Sequence, residues 1–276
     1  MKYFMKSLFV FIALSVVMFA QNAIKVKMEE FSINRKYSIV VEGYFYEGFT
    51  GPLSVILYRI PAKKLWEREI NDYRNFIMPK VSNNGISALL CDGYIQFIDS
   101  TSRFLGSFGP DSGWMMYFDS EENERINSSF SEDGSTYYDV IIEQSGNRRS
   151  NTKLLAINNS GNAKWNLALG KFEFGRIRVI KNRIILDDFG MASVEYINRV
   201  TLCDINGTLI KQMDYDLKSG YEKLLIDPIN FEVIVEYANT YKAYSLIDGN
   251  YTRDVEKNEF MKLDKDIYYG SQHYAE

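Results

Sequence analysis

AINNSGNAKWNLAL, residues 156–169, is the stretch that decides the fold. It consists of an apolar run, a polar turn that contains Gly161, and a second run that contains Trp165. Asn and Gly accept the positive φ angles that tight hairpin turns require. Because apolar runs on both sides of such a turn are typical of a β-hairpin, we predict two antiparallel strands here.

Four weaker copies of this hairpin occur along the chain. They are LYRIPAKKLWEREI from Leu57, FIDSTSRFLGSFG from Phe97, LCDINGTLIKQMDY from Leu202 and SLIDGNYTRDVEK from Ser245. Another pair of apolar runs precedes each of the five hairpins. These pairs turn at 82–85, 132–134, 181–182 and 227–230, and a looser first pair covers 24–33 and 37–45. Each unit therefore holds four short strands over roughly 40 to 55 residues, the size of a β-propeller blade.

The fold class follows from these units. β-Branched and aromatic residues fill the runs, and no long stretch sustains the spacing of an amphipathic helix. We predict an all-β protein, a β-propeller of about five four-stranded antiparallel blades. The tail, 259–276, is expected to complete a sheet with the N-terminal part of the chain, which would protect the sheet edges. Excursions at 110–125, 144–152 and 190–199 are expected to project from the rim or a face.

A tryptophan stands nine positions after the start of two hairpin copies, as Trp66 and Trp165. Gly106 and Lys211 stand at the same offset in two other copies. This position is a feature of the repeat and does not coincide with any candidate site. We therefore predict that Trp165 packs between neighbouring blades.

The first 20 residues, MKYFMKSLFVFIALSVVMFA, have the form of a secretory signal peptide. Lys2 and Lys6 precede an apolar stretch too short for an ordinary membrane span, although an uncleaved anchor is an alternative. Met18 is not the usual small residue before a cleavage site, so the exact site stays open. We predict a signal peptide at 1–20 and a single propeller domain at 21–276, which is secreted or periplasmic and has no membrane span.

The best-preserved hairpin resembles the blade motif of the PQQ-type and WD40-like β-propellers. In those families an apolar pair is followed by Asp or Asn, a Gly-containing turn and a Trp. Ala156, Ile157, Asn158, Gly161 and Trp165 match this pattern. Two other copies match in part, through Leu202, Cys203, Asp204 and Gly207 and through Phe97, Ile98 and Asp99. The resemblance implies that the motif docks one blade on the next, and it specifies no cofactor.

Several classes of function are disfavoured by composition. The net charge of −4 gives no electrostatic footprint for nucleic acid or for an anionic membrane surface. His273, the single histidine, stands near the C-terminus, where a catalytic base would be poorly held. Cys91 and Cys203 are too few for a disulfide framework, so we expect two buried thiols, with a single disulfide as the alternative.

Three features could still carry chemistry. The turns at 204–207 and 248–250 resemble fragments of calcium loops, but ordinary Asx turns explain them better. The aromatic run 114–118 could form a sugar or peptide platform, or a packed strand. Acidic residues in or beside strands could supply the two carboxylates of a glycosidase, or be ordinary solvated acids. These acids are Asp139, Glu143, Glu173, Asp187, Asp188 and Glu236.

The sequence assigns no catalytic, cofactor-binding or metal-binding residue, and we expect no cofactor. We predict an exported, non-enzymatic β-propeller that acts as a recognition or scaffold module and contacts a protein or a glycan through one face. The alternative is a carbohydrate-active hydrolase that uses carboxylates in the central funnel. A redox propeller that binds a quinone is a third possibility.

Overall fold

The structure is a computed structural model that describes 24–46, 49–50, 53–70, 78–91, 94–109, 128–145, 148–170, 175–188, 198–215, 221–237 and 240–268. The predicted signal peptide, the aromatic run 114–118, Glu173 and His273 lie outside these residues. Within them, no helix is long and apolar enough to cross a membrane.

The strands form five antiparallel sheets, which we call blades 1 to 5. Blade 1 contains β1 (Ile24–Phe31), β2 (Tyr37–Tyr46), β3 (Phe49–Thr50), β4 (Leu53–Arg59) and β5 (Lys63–Ile70). Blade 2 contains β6 (Met78–Val81), β7 (Ser87–Cys91), β8 (Tyr94–Ile98) and β9 (Phe104–Phe108). Blade 3 contains β10 (Ser128–Phe130), β11 (Thr136–Ser145), β12 (Arg148–Asn158) and β13 (Ala163–Gly170). Blade 4 contains β14 (Gly175–Ile180), β15 (Arg183–Asp188), β16 (Asn198–Asp204) and β17 (Leu209–Tyr215). Blade 5 contains β18 (Tyr221–Asp227), β19 (Glu232–Tyr237), β20 (Thr240–Ser245) and β21 (Tyr251–Asp254), and α1 (Lys257–Tyr268) follows it.

Each blade runs in sequence order from its first strand to its last, and the short β3 adds to β2 in blade 1. This confirms the predicted units of four strands and the predicted turns between them. The first strands of successive blades lie beside one another, since β1 contacts β6, β6 contacts β10, and β10 contacts β14. Buried aliphatic and aromatic side chains fill the space between successive blades, so the core is a series of interfaces between sheets.

The turns between the first and second strands are joined to one another by hydrogen bonds. The Asn34 amide donates to Oδ1 of Asn83 at 2.8 Å, and Nδ2 of Asn83 donates to the Glu132 carbonyl at 2.8 Å. The Lys181 amide then donates to Oε1 of Glu132 at 2.6 Å. Successive members of this series are 49 residues apart. The repeat therefore has a constant period of 49 residues at these turns in blades 1 to 4.

A second series of contacts joins the fourth strand of blades 1 to 4 to the next blade. Nε1 of Trp66 donates to the Asp99 carbonyl, and Nε1 of Trp165 donates to the Ile205 carbonyl, both at 3.0 Å. In blade 4, Nζ of Lys211 donates to Oδ1 of Asn250 at 2.8 Å. The prediction that Trp165 packs between blades is confirmed, although its side chain is only half-buried.

Blade 2 makes the same contact through a glycine. A Cβ on Gly106 would lie 2.3 Å from the Ser160 carbonyl oxygen in blade 3, so the two backbones approach closely only because this residue lacks a side chain. The four residues at one offset in the repeat, two tryptophans, a glycine and a lysine, thus all touch the turn of the following blade.

Blade 5 is covered by α1. Phe260 and Leu263 pack on Tyr241 and Ala243, and Phe260 is 1% exposed. Arg253, which stands opposite Ala243 in the register, bonds Glu259 of the helix at 2.7 Å. The prediction that the tail completes a sheet is therefore wrong for 259–268, because an apolar stripe on this segment packs against the open face of blade 5.

The predicted excursion at 144–152 is largely strand, because β11 extends to Ser145 and β12 begins at Arg148. Residues 110–125 and most of 190–199 lie outside the described residues.

Cys203 is a free, buried thiol as predicted, and burial raises its pKa to about 12. The side chain of Cys91 is not among those described.

Candidate functional site

One face of the molecule carries two turns from every blade. In a meander of four antiparallel strands, the turn between strands one and two and the turn between strands three and four lie at the same end of the sheet. We call this end the turn face. It consists of 32–36, 82–86, 131–135, 181–182 and 228–231 near the centre, and of 60–62, 99–103, 159–162, 205–208 and 246–250 farther out.

Buried serines fix three of the central turns. Oγ of Ser82 accepts the Ile86 amide at 2.9 Å, and Oγ of Ser131 accepts the Thr136 amide at 3.0 Å. Ser32 accepts the Tyr37 amide in the same way, at 3.0 Å. Sequence reasoning located these turns but missed the serines, although Ser-x-Asn or Ser-x-Asp recurs at all three. Since the side chains satisfy the turn backbone, the turn face is a firmly held surface.

A cleft of about 150 Å³ lies beside the central turns, between the first strands of blades 1 to 3. Its lining includes Glu30, Phe31, Lys80, Asn83, Ser129 and Ser131. Lys80 forms an ion pair with Glu30 across the boundary between blades 1 and 2, with side chains 15% and 27% exposed. The cleft is smaller than the roughly 300–1,000 Å³ of typical small-molecule sites.

Asp139 is buried, 6% exposed, and stands opposite Ser128, which lines the cleft. Burial raises its pKa to about 8, although the Val140 amide and the charge of Lys80 favour ionisation. Burial also raises the pKa of Tyr137 well above its ordinary value, and Asp139 adds to this effect. Burial therefore favours the protonated form of Asp139, while Lys80 and Glu30 form an ion pair.

The turn face also exposes large apolar side chains. Ile229 is 88% exposed, Ile247 is 65% exposed and Ile33 is 55% exposed. Further members at the turn tips or the strand ends beside them are Ile60, Phe104, Ile205, Leu209 and Tyr251. Apolar side chains on rigid turns are available to a partner surface at little cost in conformational entropy.

The acids predicted as possible glycosidase residues occupy separate places. Asp139 is buried on β11, and Glu236 is half-buried on β19. Glu143, Asp187 and Asp188 lie on β11 and β15, and their side chains are not described. The two whose side chains are described, Asp139 and Glu236, lie in different blades, and neither lines the cleft. Among the described residues, no group of three or more His, Cys, Asp or Glu side chains could hold a metal ion.

The two calcium-like segments are Asx turns in the structure. Oδ1 of Asp204 accepts the amides of Asn206 and Thr208 at 2.9 and 2.8 Å, and Oδ1 of Asp248 accepts the Asn250 amide at 3.0 Å. These carboxylate oxygens therefore hold the hairpin backbone in shape.

No family model and no curated protein matches the chain. Two solved structures are similar in fold, each with a TM-score of 0.51 and 9% sequence identity: the WD40 domain of SCAP from fission yeast and an oligogalacturonate lyase in complex with manganese. The alignments cover 84% and 82% of this chain, but only 55% and 64% of those chains. A protein of unknown function from Bacteroides caccae is 14% identical, with a TM-score of 0.43 and coverage of 77% of this chain and 72% of its own. The similarity to the first two establishes a β-propeller fold of the WD40-like kind and nothing about activity.

Proposed function

We propose that this protein is an exported, non-enzymatic β-propeller that recognises a protein or a glycan through its turn face. Residues 1–20 direct export in this proposal, and the propeller domain, 21–276, acts as a recognition or scaffold module. The observation that carries the proposal is the chemistry of the turn face, where exposed aliphatic and aromatic side chains surround a small polar cleft on turns held by inter-blade hydrogen bonds.

The carboxyl groups in and near the cleft favour a role in recognition over catalysis of glycoside hydrolysis. A glycosidase places two carboxyl groups on either side of a sugar, about 5–9.5 Å apart depending on mechanism. Here Glu30 is already paired with Lys80, and Asp139 is buried and does not line the cleft. The hydrolase alternative thus has less support from the described residues than a binding surface.

Site-specific photo-crosslinking tests the proposal in cells that make the full-length chain. A photoreactive amino acid replaces Ile229 or Ile247 on the turn face, and Tyr94 at the opposite end serves as the control position. In parallel, the purified protein is screened on a glycan array with and without Ile229→Asp. We expect cross-links from Ile229 and Ile247 but not from Tyr94, or glycan binding that Ile229→Asp abolishes. Cross-links from Tyr94 alone, without glycan binding sensitive to Ile229→Asp, would overturn the assignment of the turn face.

Two further measurements address export and chemistry. N-terminal sequencing of the extracellular or periplasmic protein is expected to begin near Gln21, and retention of the whole chain inside the cell would contradict export. Release of reducing sugars from a polysaccharide panel, lost in Asp139→Asn, would replace the recognition proposal by the hydrolase alternative.

A further inference from the structure

The outer turn of blade 1 departs from the pattern of the other blades. In blades 2 to 4 the turn opens with Asp99, Asn158 or Asp204, and the side-chain oxygen of each accepts two backbone amides at 2.8–3.0 Å. In blade 1 the matching residue is Arg59, whose carbonyl accepts the Ala62 amide at 3.1 Å, as the other three carbonyls do in their turns. The position that carries an acid or an amide elsewhere therefore carries a cation in blade 1.

Further cations surround Arg59. Lys63 is its direct cross-strand partner, and the Ile60 amide donates to the Lys36 carbonyl at 2.9 Å, which places the two turns of blade 1 side by side. The side chains of Lys36, Arg59 and Lys63 are exposed, and none has an ion-pair partner among the described residues. Like charges directly opposite each other destabilise a sheet, so this arrangement opposes folding.

By contrast, comparable exposed cations in blades 2 and 3 have an ion-pair or hydrogen-bond partner. Nε of Arg103, at the position that matches Lys63, bonds Asp99 at 3.0 Å, and Nζ of Lys164 bonds Thr136 at 2.9 Å. The protein as a whole is acidic, with a net charge of −4. A group of cations with no ion-pair partner in the part of the chain that the structure describes is thus a local feature that a negatively charged ligand would neutralise.

Two exposed isoleucines accompany these cations. Ile60 is 39% exposed between Arg59 and Lys63, and Ile33 is 55% exposed in the neighbouring central turn, where it also lines the cleft. An anionic polysaccharide would satisfy the cations but offer no aliphatic side chain to the isoleucines. A polypeptide that carries both carboxylates and apolar side chains matches both features.

We propose that Lys36, Arg59 and Lys63, together with Ile33 and Ile60, form a docking surface for an acidic, partly apolar segment of a partner protein. This inference rests on the proposed recognition function and names its partner class. Charge attraction across the surface supplies part of the affinity and is weakened by salt, while the isoleucines supply apolar contact.

Binding of a short fluorescein-labelled peptide built from Glu-Glu-Leu units, followed by fluorescence anisotropy, tests this surface on the purified protein. The variant Arg59→Gln/Lys63→Gln removes two of its cations. Arg103→Gln/Lys164→Gln is the matched control, since it removes the same charge from the turn faces of blades 2 and 3. We expect the first variant to weaken binding about 5- to 20-fold and the control to change it less than about twofold. Ile60→Ser is expected to weaken binding without changing its salt dependence.

Several outcomes would overturn the inference. Equal weakening by both double variants would show that general charge and not this surface binds the peptide. Binding of oligogalacturonate but not of the peptide would assign the cations to an anionic glycan. If Ile229 or Ile247 cross-links a partner while Arg59→Gln/Lys63→Gln leaves peptide affinity unchanged, only the docking surface fails. Absence of turn-face cross-links and of glycan binding would instead remove the proposed function itself.

Discussion

Replacing Trp66 with alanine tests the contact that joins the fourth strand of one blade to the next blade. The side chain is 6% exposed and packs with Leu57 and Ile98 between blades 1 and 2. Truncating a buried tryptophan typically costs about 3–5 kcal/mol, because the removed ring leaves a cavity that the surroundings fill only in part. The loss of the hydrogen bond from Nε1 to the Asp99 carbonyl contributes about 1 kcal/mol of this.

Trp66→Phe separates the two contributions. Phenylalanine keeps a ring in the core but cannot donate to Asp99, so we expect a cost of about 1–2 kcal/mol from the lost hydrogen bond and the smaller ring. Phe104→Ala is the control, because this side chain is 53% exposed at the start of the fourth strand of blade 2. Exposed substitutions of that kind usually change stability by less than about 0.5 kcal/mol.

Urea and thermal unfolding followed by far-UV circular dichroism measure these differences without relying on tryptophan fluorescence. For a domain of this size, about 1 kcal/mol shifts the melting temperature by roughly 2–4 °C, so Trp66→Ala is expected to lower it by roughly 6–20 °C. If Trp66→Ala is no more destabilising than Phe104→Ala, the reasoning that this residue holds two blades together is refuted.

Three other predictions concern the turn of blade 3, the helix α1 and the buried Asp139. Gly161→Ala is expected to destabilise far more than Gly170→Ala in urea unfolding, because both have positive φ but only at Gly161 would a Cβ lie 2.2 Å from the Ser107 carbonyl oxygen. Phe260→Ala is expected to cost about 3–5 kcal/mol, and exposed Met261→Ala less than about 0.5 kcal/mol; similar costs would show that α1 does not hold blade 5. Because Asp139 keeps its proton up to about pH 8 when folded but loses it near pH 4 when unfolded, stability falls as the pH rises from about 4 to about 8. Asp139→Asn should flatten this decline in urea midpoints measured at pH 5 and pH 8, and an unchanged slope would assign it to other groups.

The hairpins could be predicted because their signals are local. Asn158 and Gly161 lie within one turn, and the Asn158 side chain closes that turn with bonds to the Ser160 and Asn162 amides at 3.0 Å. Such information is complete within a few residues and needs no knowledge of distant parts of the chain. The number of strands per unit and the role of Trp165 followed from repetition of the same signal.

The cleft and the inter-turn bonds could not be read in the same way, because they depend on which side chains meet between blades. The pairing of Glu30 with Lys80 joins residues 50 apart. The sequence does contain one sign that these turns are neighbours, since Asn34, Asn83 and Glu132 stand 49 residues apart. The outer hairpins begin at irregular intervals along the chain, which conceals this regular spacing.

The error at the C-terminal segment has a physical explanation. Phe260 and Leu263 have the spacing of a helical face, but the stripe is short and charged residues surround it. Its stability comes from packing on blade 5, which the sequence pattern of the helix alone does not reveal. The expectation that a sheet would protect this edge placed a strand where the structure has a helix.

The helix takes the place, for blade 5, of the contacts that a following blade makes with blades 1 to 4. Each of blades 1 to 4 uses one position on its fourth strand to hold the turn of the following blade, so the same position in blade 5 needs a substitute partner. Arg253 provides the equivalent residue, and Glu259 of α1 accepts its hydrogen bonds at 2.7 and 3.1 Å. The apolar side chains of Leu225, Ile234 and Ala243 pack against Phe260 of α1. The helix therefore provides both a polar partner for Arg253 and an apolar surface for blade 5.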